Sequence, residues 1–439
     1  ADGDDCTNEL TYLLLDVMDG FKTRQPNWHA RISSRSDEAY VRRVMEVVAG
    51  GGGSPALYND DAIMPAMVER GVDPTRAWDY ATVGCVEPAV PGESFTSSDA
   101  AIFNLALSLE LLLGGGRRMK RDKVRERPWL SDIQSTADLL ERLEEVTDER
   151  LVDMKQSLDA IETTNAEVFP TPLSSLLVGG CIESATDSTR GGARYNASGI
   201  QGVGVADLAN SLAVIDKLVF QDGEYTLEEV ANACATNFVG QDLMRARALK
   251  IAAFGNDDPL VDDLADKVIS IFDRCVSQHT NTRGGQWMPG FYSMTTHQGF
   301  GKQMAAMPSG RLAGRPLADG LAPVDGSDRL GPTASLNSVA KLDHSRFGNG
   351  INLNVKFDSV TVKGEEGRAT LEGLVRGYFA QGGMQVQINV LDTGILEEAM
   401  EDPESHRNLL VRISGYCAYF VDLTPGMQQE LIDRTRQRA

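Results

Sequence analysis

The segment Arg412-Ile413-Ser414-Gly415-Tyr416-Cys417 sets a glycine among residues that otherwise suit a strand or a tight connection. Without a side chain, the backbone there can enter crowded or left-handed geometry. The Cα hydrogen of such a glycine, once removed, leaves a planar radical shared between two peptide groups. Taken alone, the segment reads as an ordinary turn. Its meaning changes with a second segment far upstream, Gly84-Cys85-Val86-Glu87-Pro88. There a thiol and a carboxyl stand two residues apart, bracketed by a glycine and a proline.

Length and composition narrow the setting. The 439 residues can bury a large core, with 42% hydrophobic and 24% charged residues. A net charge of -21 argues against a nucleic-acid partner. No apolar run approaches the roughly 18 residues of a spanning helix, and the start, Ala1-Asp2-Gly3-Asp4, lacks the basic and apolar regions of a signal peptide. No membrane association is therefore expected. The cytoplasm is the expected location, with a bacterial microcompartment as a narrower option. The six cysteines, Cys6, Cys85, Cys181, Cys234, Cys275 and Cys417, form no C-x-x-C, and the five histidines are scattered. No metal site is expected, and the thiols should be reduced.

Along the chain, apolar periodicity predicts helices over 38–49, 63–70, 74–82, 98–113, 136–163, 206–220, 227–236 and 261–276. Buried strands are expected at 286–294 and 384–390. The run Gly50-Gly51-Gly52-Gly53-Ser54-Pro55 reads as a tight loop on the active-site side. Gly114-Gly115-Gly116 should end a helix, and the carboxylates of 136–163 should form a solvated face. Residues 308–331 read as a long ordered loop. Strand and helix alternate, which points to an α/β architecture.

The two signatures resemble those of glycyl radical enzymes of the pyruvate formate-lyase-like superfamily. The likeness extends through Thr189-Arg190-Gly191-Gly192, Thr282-Arg283-Gly284-Gly285, Pro308-Ser309-Gly310-Arg311 and Val386-Gln387-Ile388-Asn389. It implies a ten-stranded α/β barrel of two five-stranded halves, with the cysteine and glycyl loops meeting at its centre. Family members are about twice this length, with the cysteine near the middle. The resemblance thus makes this chain a C-terminal half. Residues 1–315 would be a cysteine-loop half-barrel with surrounding helices, and 316–439 the glycyl radical domain. An N-terminal half, on a separate chain or a missing segment, would complete the barrel. The complete unit would form a homo-oligomer.

Two Cys-x-Glu sequences compete, Cys85-Val86-Glu87 and Cys181-Ile182-Glu183, and their spacing is identical. Cys181 follows an apolar run, which suits packing, and the family carries a nonradical cysteine there. Cys85 is therefore the expected thiyl site. Cys417 occupies a position that varies in the family and should only pack. The resemblance further implies a radical on Gly415, installed by a radical S-adenosylmethionine activase with an iron–sulfur cluster. Cys85 would abstract a substrate hydrogen atom, and Glu87 would act as general base. Tyr292 and Ser98 are the candidate substrate contacts. Glutamate two residues after the cysteine resembles the eliminating branch of dehydratases and lyases that cleave C–O, C–N or C–S bonds. Arylacetate decarboxylation or hydrocarbon addition to fumarate is the alternative, encouraged by Phe291-Tyr292-Ser293-Met294. A non-catalytic spare-part subunit carrying only the radical is the third reading.

Overall fold

A computed structural model describes residues 4–114 and 128–436 of the chain, with side chains up to residue 432. Its strands are β1 (His29–Ile32), β2 (Ala56–Asn59), β3 (Ala81–Val83), β4 (Glu87–Ala89), β5 (Ser97–Asn104), β6 (Ser198–Val203), β7 (Trp287–Gly290), β8 (Asn354–Asp358), β9 (Gln385–Leu391), β10 (Leu410–Arg412) and β11 (Cys417–Tyr419). Strands β5, β6 and β7 pair in parallel, as do β8 and β9. A parallel bridge from Phe291 to Ile351 joins the two groups, with Phe291 N–H donating to the Gly350 carbonyl at 3.0 Å. On the far side of β9, β2 runs antiparallel, and β1 pairs in parallel with β2. Among the described residues the array therefore has seven strands, where the resemblance implied five.

Burial explains why these segments form strands. Every residue of β6 is buried, as a parallel strand covered on both faces requires. A Cβ on Gly202 would sit 2.9 Å from Leu105 Cδ1 and from a Phe272 ring carbon, so a helix packs directly on the strand at that point. That helix, Pro259–Ser277, is capped by Asp258, which accepts from the N–H groups of Leu260 and Val261. It buries Val261, Leu264, Ala265, Val268 and Phe272 at helical spacing. A second apolar cluster, including Leu396, Val411, Ile413, Phe420 and Leu431, lies apart from the main core and backs the β10–β11 hairpin.

Several sequence expectations change. The helix expected over 98–113 is strand β5 followed by the helix Ala106–Gly114, because pairing with β6 overrides the local periodicity. The strand expected over 286–294 is shorter, and 74–82 holds only the short helix Pro74–Ala77 before β3 begins. Gly115 and Gly116 lie outside the described residues. The long helix, Thr136–Val168, is not wholly solvated on its acidic face. Glu162 is buried against Arg283 at 2.8 Å and also accepts from Ser198 Oγ and from Thr282. Burial acts to raise the Glu162 pKa, but those bonds and Arg283 prevail and hold it below its ordinary value. The tetraglycine run is a tight loop, as expected. A Cβ on Gly53 would lie 2.7 Å from Arg412 Cβ, which fixes the loop against the β10–β11 hairpin.

Candidate active site

Cys85 stands at the tip of a tight hairpin. Val83 of β3 pairs with Glu87 of β4, leaving Gly84-Cys85-Val86 as the turn. Gly84 has φ of 60°, a left-handed conformation that favours glycine. The turn is packed from below: a Cβ on Gly350 would lie 2.2 Å from the Val86 carbonyl oxygen. Tyr58 of β2 donates its hydroxyl to the Cys85 carbonyl.

Gly415 stands at the tip of a second hairpin, in which Arg412 of β10 pairs with Cys417 of β11. It is buried, with φ of 80°. The two tips meet. A Cβ on Gly415 would lie 2.3 Å from Cys85 Cβ and 2.8 Å from its Sγ, so only glycine fits. Two residues separated by most of the chain thus touch through the Gly415 α-carbon.

Strand β9 explains how the second hairpin is held. Gln387 and Asn389 are buried on one face of the strand, since alternate residues share a face. Gln387 Oε1 accepts from Arg412 Nε at 2.7 Å and from the Gly415 N–H at 3.2 Å. Asn389 exchanges two bonds with the Arg412 backbone, at 2.8 and 2.9 Å. Asp319, in the long loop, accepts from Ser414 Oγ at 2.8 Å and from Ser293 Oγ at 2.7 Å.

Glu87 is 2% exposed, and its Oε2 accepts the N–H of Val86 at 2.7 Å. Burial, followed by the nearby charge of Asp99, lifts its pKa from 4.5 to about 7. Burial and Glu87 push the Cys85 thiol up to about 12, so it remains protonated near neutrality. A protonated thiol is what hydrogen-atom transfer requires. Tyr292 is fully buried and donates its hydroxyl to Asp99 Oδ2.

Ser98 touches this cluster less than its neighbour does. Its carbonyl accepts from Asn349 Nδ2 at 2.7 Å, whereas Asp99 carries the charge felt by Glu87, Cys85 and Tyr292. The pairing of β5 with β6 shifts register between Ser97 and Ala101, and bulges of this kind re-aim side chains beside active sites. Asp99 and Asp319 were missed in the sequence, and Gln387 and Asn389 entered only as part of the resemblance, with no role given to them. The period-two polar pattern of Gln385-x-Gln387-x-Asn389 was a further readable signal for the last two. Cys181 is buried at the start of the short helix Cys181–Ser184, and Glu183 accepts its own turn's Gly180 N–H at 3.0 Å. Cys417 is buried, with Sγ 3.3 Å from Ser54 Oγ. Among the described residues no cluster of His, Cys, Asp and Glu is arranged to hold a metal ion, and no helix is long and apolar enough to cross a membrane.

Comparison with known proteins places this geometry. Residues 1–301 match the family model "Pyruvate formate lyase-like", and residues 317–421 match "Glycine radical". The chain belongs to the pyruvate formate lyase-like family and carries its glycine radical region. It is 35% identical to trans-4-hydroxy-L-proline dehydratase of Clostridioides difficile, over 99% of this chain and 55% of that protein. The glycerol-bound, B12-independent glycerol dehydratase of Clostridium butyricum superposes with a TM-score of 0.95 at 36% identity, covering 98% of this chain and 55% of that one. A glycyl radical enzyme of Archaeoglobus fulgidus gives a TM-score of 0.93 at 40% identity, over 98% and 55% of the two chains. The chain spans about half the length of the curated relatives it matches.

Proposed function

We propose that this chain is the catalytic C-terminal half of a glycyl radical eliminase acting on a small hydroxylated substrate. The contact of the Gly415 α-carbon with Cys85 carries the reading. Cys85 gives its thiol hydrogen atom to Gly415, and the sulfur left behind takes a hydrogen atom from a substrate C–H bond next to a hydroxyl. Glu87, poised near neutrality, removes that hydroxyl proton as the neighbouring group departs. The product radical then recovers a hydrogen atom from Cys85. Asp99, which already accepts from the Tyr292 hydroxyl, and the Tyr292 oxygen itself offer acceptors for substrate hydroxyls, with Ser98 beside them. Such polar groups beside Cys85 favour C–O, C–N or C–S elimination over decarboxylation of an arylacetate or addition to fumarate. Two relatives named as dehydratases support elimination. A spare-part role for the radical alone leaves the Cys85 hairpin unexplained.

The division into a cysteine-loop region, 1–315, and a glycyl radical region, 316–439, follows from the same reading. So does completion of the barrel by a partner half. Among the described residues, strands β1 and β5 end the seven-stranded array with open edges, which recruit further strands. The helix Glu9–Phe21 turns Leu10, Leu13, Leu14, Val17 and Phe21 outward, an apolar stripe that needs a cover. A radical S-adenosylmethionine activase with an iron–sulfur cluster would install the radical, and the complete unit would be a homo-oligomer in the cytoplasm or a microcompartment. Anaerobic activation should give a glycyl paramagnetic resonance doublet, and oxygen should then cut the chain at Gly415. Full-length protein after air exposure of a sample showing the doublet would defeat the assignment, as would undiminished turnover in Cys85→Ala.

A further inference from the structure

Asn27 lies in the connection between the helix Glu9–Phe21 and β1, outside both hairpins, yet its side chain joins them. Its Nδ2 donates to the Gly84 carbonyl at 2.9 Å and to the Gly415 carbonyl at 2.8 Å. Its Oδ1 accepts from Arg412 Nη1 at 2.7 Å. One amide therefore uses both of its hydrogens to span the two tips, and its oxygen holds the guanidinium beside them. We propose that Asn27 is a positioning residue that sets the approach of Cys85 to Gly415 and polarises the Gly415 carbonyl.

The inference rests on the reading of these two residues as the hydrogen-transfer pair. The transfer is balanced within the protein: the Cys85 S–H bond breaks, the Gly415 Cα–H bond forms, and the unpaired electron moves from carbon to sulfur. Its rate depends on the approach of sulfur to carbon, and a misplacement of about 1 Å costs on the order of 10²-fold. Tyr58 fixes the Cys85 carbonyl from β2, and Gln387 fixes Arg412 and Gly415 from β9. Asn27 bonds to both hairpins at once.

The second effect is electronic. A radical at the Gly415 α-carbon is stabilised as its amide nitrogen releases electron density and its carbonyl withdraws it. The carbonyl receives Asn27 Nδ2 and the charged Arg412 Nη2, the latter at 3.1 Å, and the N–H donates to Gln387 at 3.2 Å. Donors on the carbonyl and an acceptor on the N–H both strengthen that push and pull, since charge-assisted bonds are the stronger ones.

The test follows the exchange of the Gly415 α-hydrogen in the assembled, anaerobically activated enzyme moved into D2O. The Cys85 thiol exchanges with solvent, so reversible transfer places deuterium on Gly415 and collapses the doublet to a singlet. Asn27→Ala and the isosteric Asn27→Asp should each keep a glycyl signal while slowing that collapse and kcat in parallel, by roughly 10- to 100-fold, with KM little changed. The carboxylate introduced by Asn27→Asp would still accept from Arg412 but donate to neither carbonyl. Exchange and kcat at the unmutated rate in that variant therefore overturn the proposal, even where the alanine variant misfolds. Cys85→Ala separates the two readings: its doublet should persist in D2O. Collapse at the normal rate there refutes the Cys85–Gly415 pair itself, whatever the Asn27 variants do.

Discussion

Glu87 is buried within reach of the Asp99 charge, and the two effects together lift its pKa to about 7. Burial is the larger cause of the lifted pKa and Asp99 the next. A general base works when ionised, so turnover should rise with pH through about 7. Asp99→Asn removes a negative neighbour, which lowers the Glu87 pKa and moves that rising limb toward acid. The folded state also holds the Glu87 proton more tightly than the unfolded chain does. Its ionisation therefore withdraws stability as pH rises from 4.5 toward 7. A pH–rate profile in both forms checks the first point. A limb that stays in place in Asp99→Asn removes Asp99 from the account.

Glu87→Gln separates proton transfer from hydrogen-atom transfer. The amide keeps the shape of the carboxyl, so the glycyl signal should survive while turnover falls by roughly 10²–10⁴-fold, the usual scale for a positioned base. Full turnover in that variant would favour a reaction without proton abstraction from a hydroxyl.

Gly415→Ala probes the contact at the tips. The new Cβ would overlap Cys85 Cβ at 2.3 Å, in a backbone with φ of 80°. Overpacking of this kind costs about 1–3 kcal/mol, and no glycyl signal should form on activation. Thermal unfolding reads the first effect and paramagnetic resonance the second. An alanine variant as stable as the parent would mean that the hairpins do not meet this closely.

Much of this candidate site was legible because its two tips are short local signatures that together resemble those of a known family. Gly84-Cys85-Val86-Glu87 and Arg412-x-x-Gly415 each lie within a single turn, so their chemistry is written in consecutive letters. The frame around them is not. Asn27 sits in an unremarkable Pro26-Asn27-Trp28 stretch and acquires its role only when folding brings Gly84 and Gly415 to it. Asp99 was hidden for a different reason. Its segment, Ser98-Asp99-Ala100-Ala101, has helical composition, and pairing with β6 forces it into an irregular strand. The α/β alternation and most helices were readable from periodicity, since amphipathic spacing acts locally. Glu162 shows the limit of that reasoning, because the partner that buries it, Arg283, is remote in sequence.

Glu162 supplies a prediction of its own. Removing one member of a buried ion pair leaves the other charge uncompensated, which costs about 3–5 kcal/mol. Glu162→Ala should therefore lower the denaturant midpoint clearly. Its pKa is held below the ordinary value, so the stability it adds is present above the unfolded pKa and lost as pH falls through the folded one. A midpoint unchanged at neutral pH would return Glu162 to the solvated face.

The last prediction concerns what covers the open side of the site. Cys85 is only half-buried, Val83 is 44% exposed and Asp99 is exposed, although a sulfur or glycyl radical needs shelter from solvent. On the same chain, Leu10 is 60% and Phe21 75% exposed, along a stripe too regular for a solvated helix face. Both observations fit the proposed partner half, which would cover the hairpin tips and pack on the helix Glu9–Phe21. Expressed alone, these 439 residues should self-associate and show no turnover. Co-expression with a segment matching the remaining part of the relatives should give a stoichiometric complex that can be activated. Leu13→Glu together with Phe21→Glu should weaken that complex, because two charges would be buried without partners. A stable, active monomer of 47.6 kDa would sink the idea, and so would a complex indifferent to both substitutions.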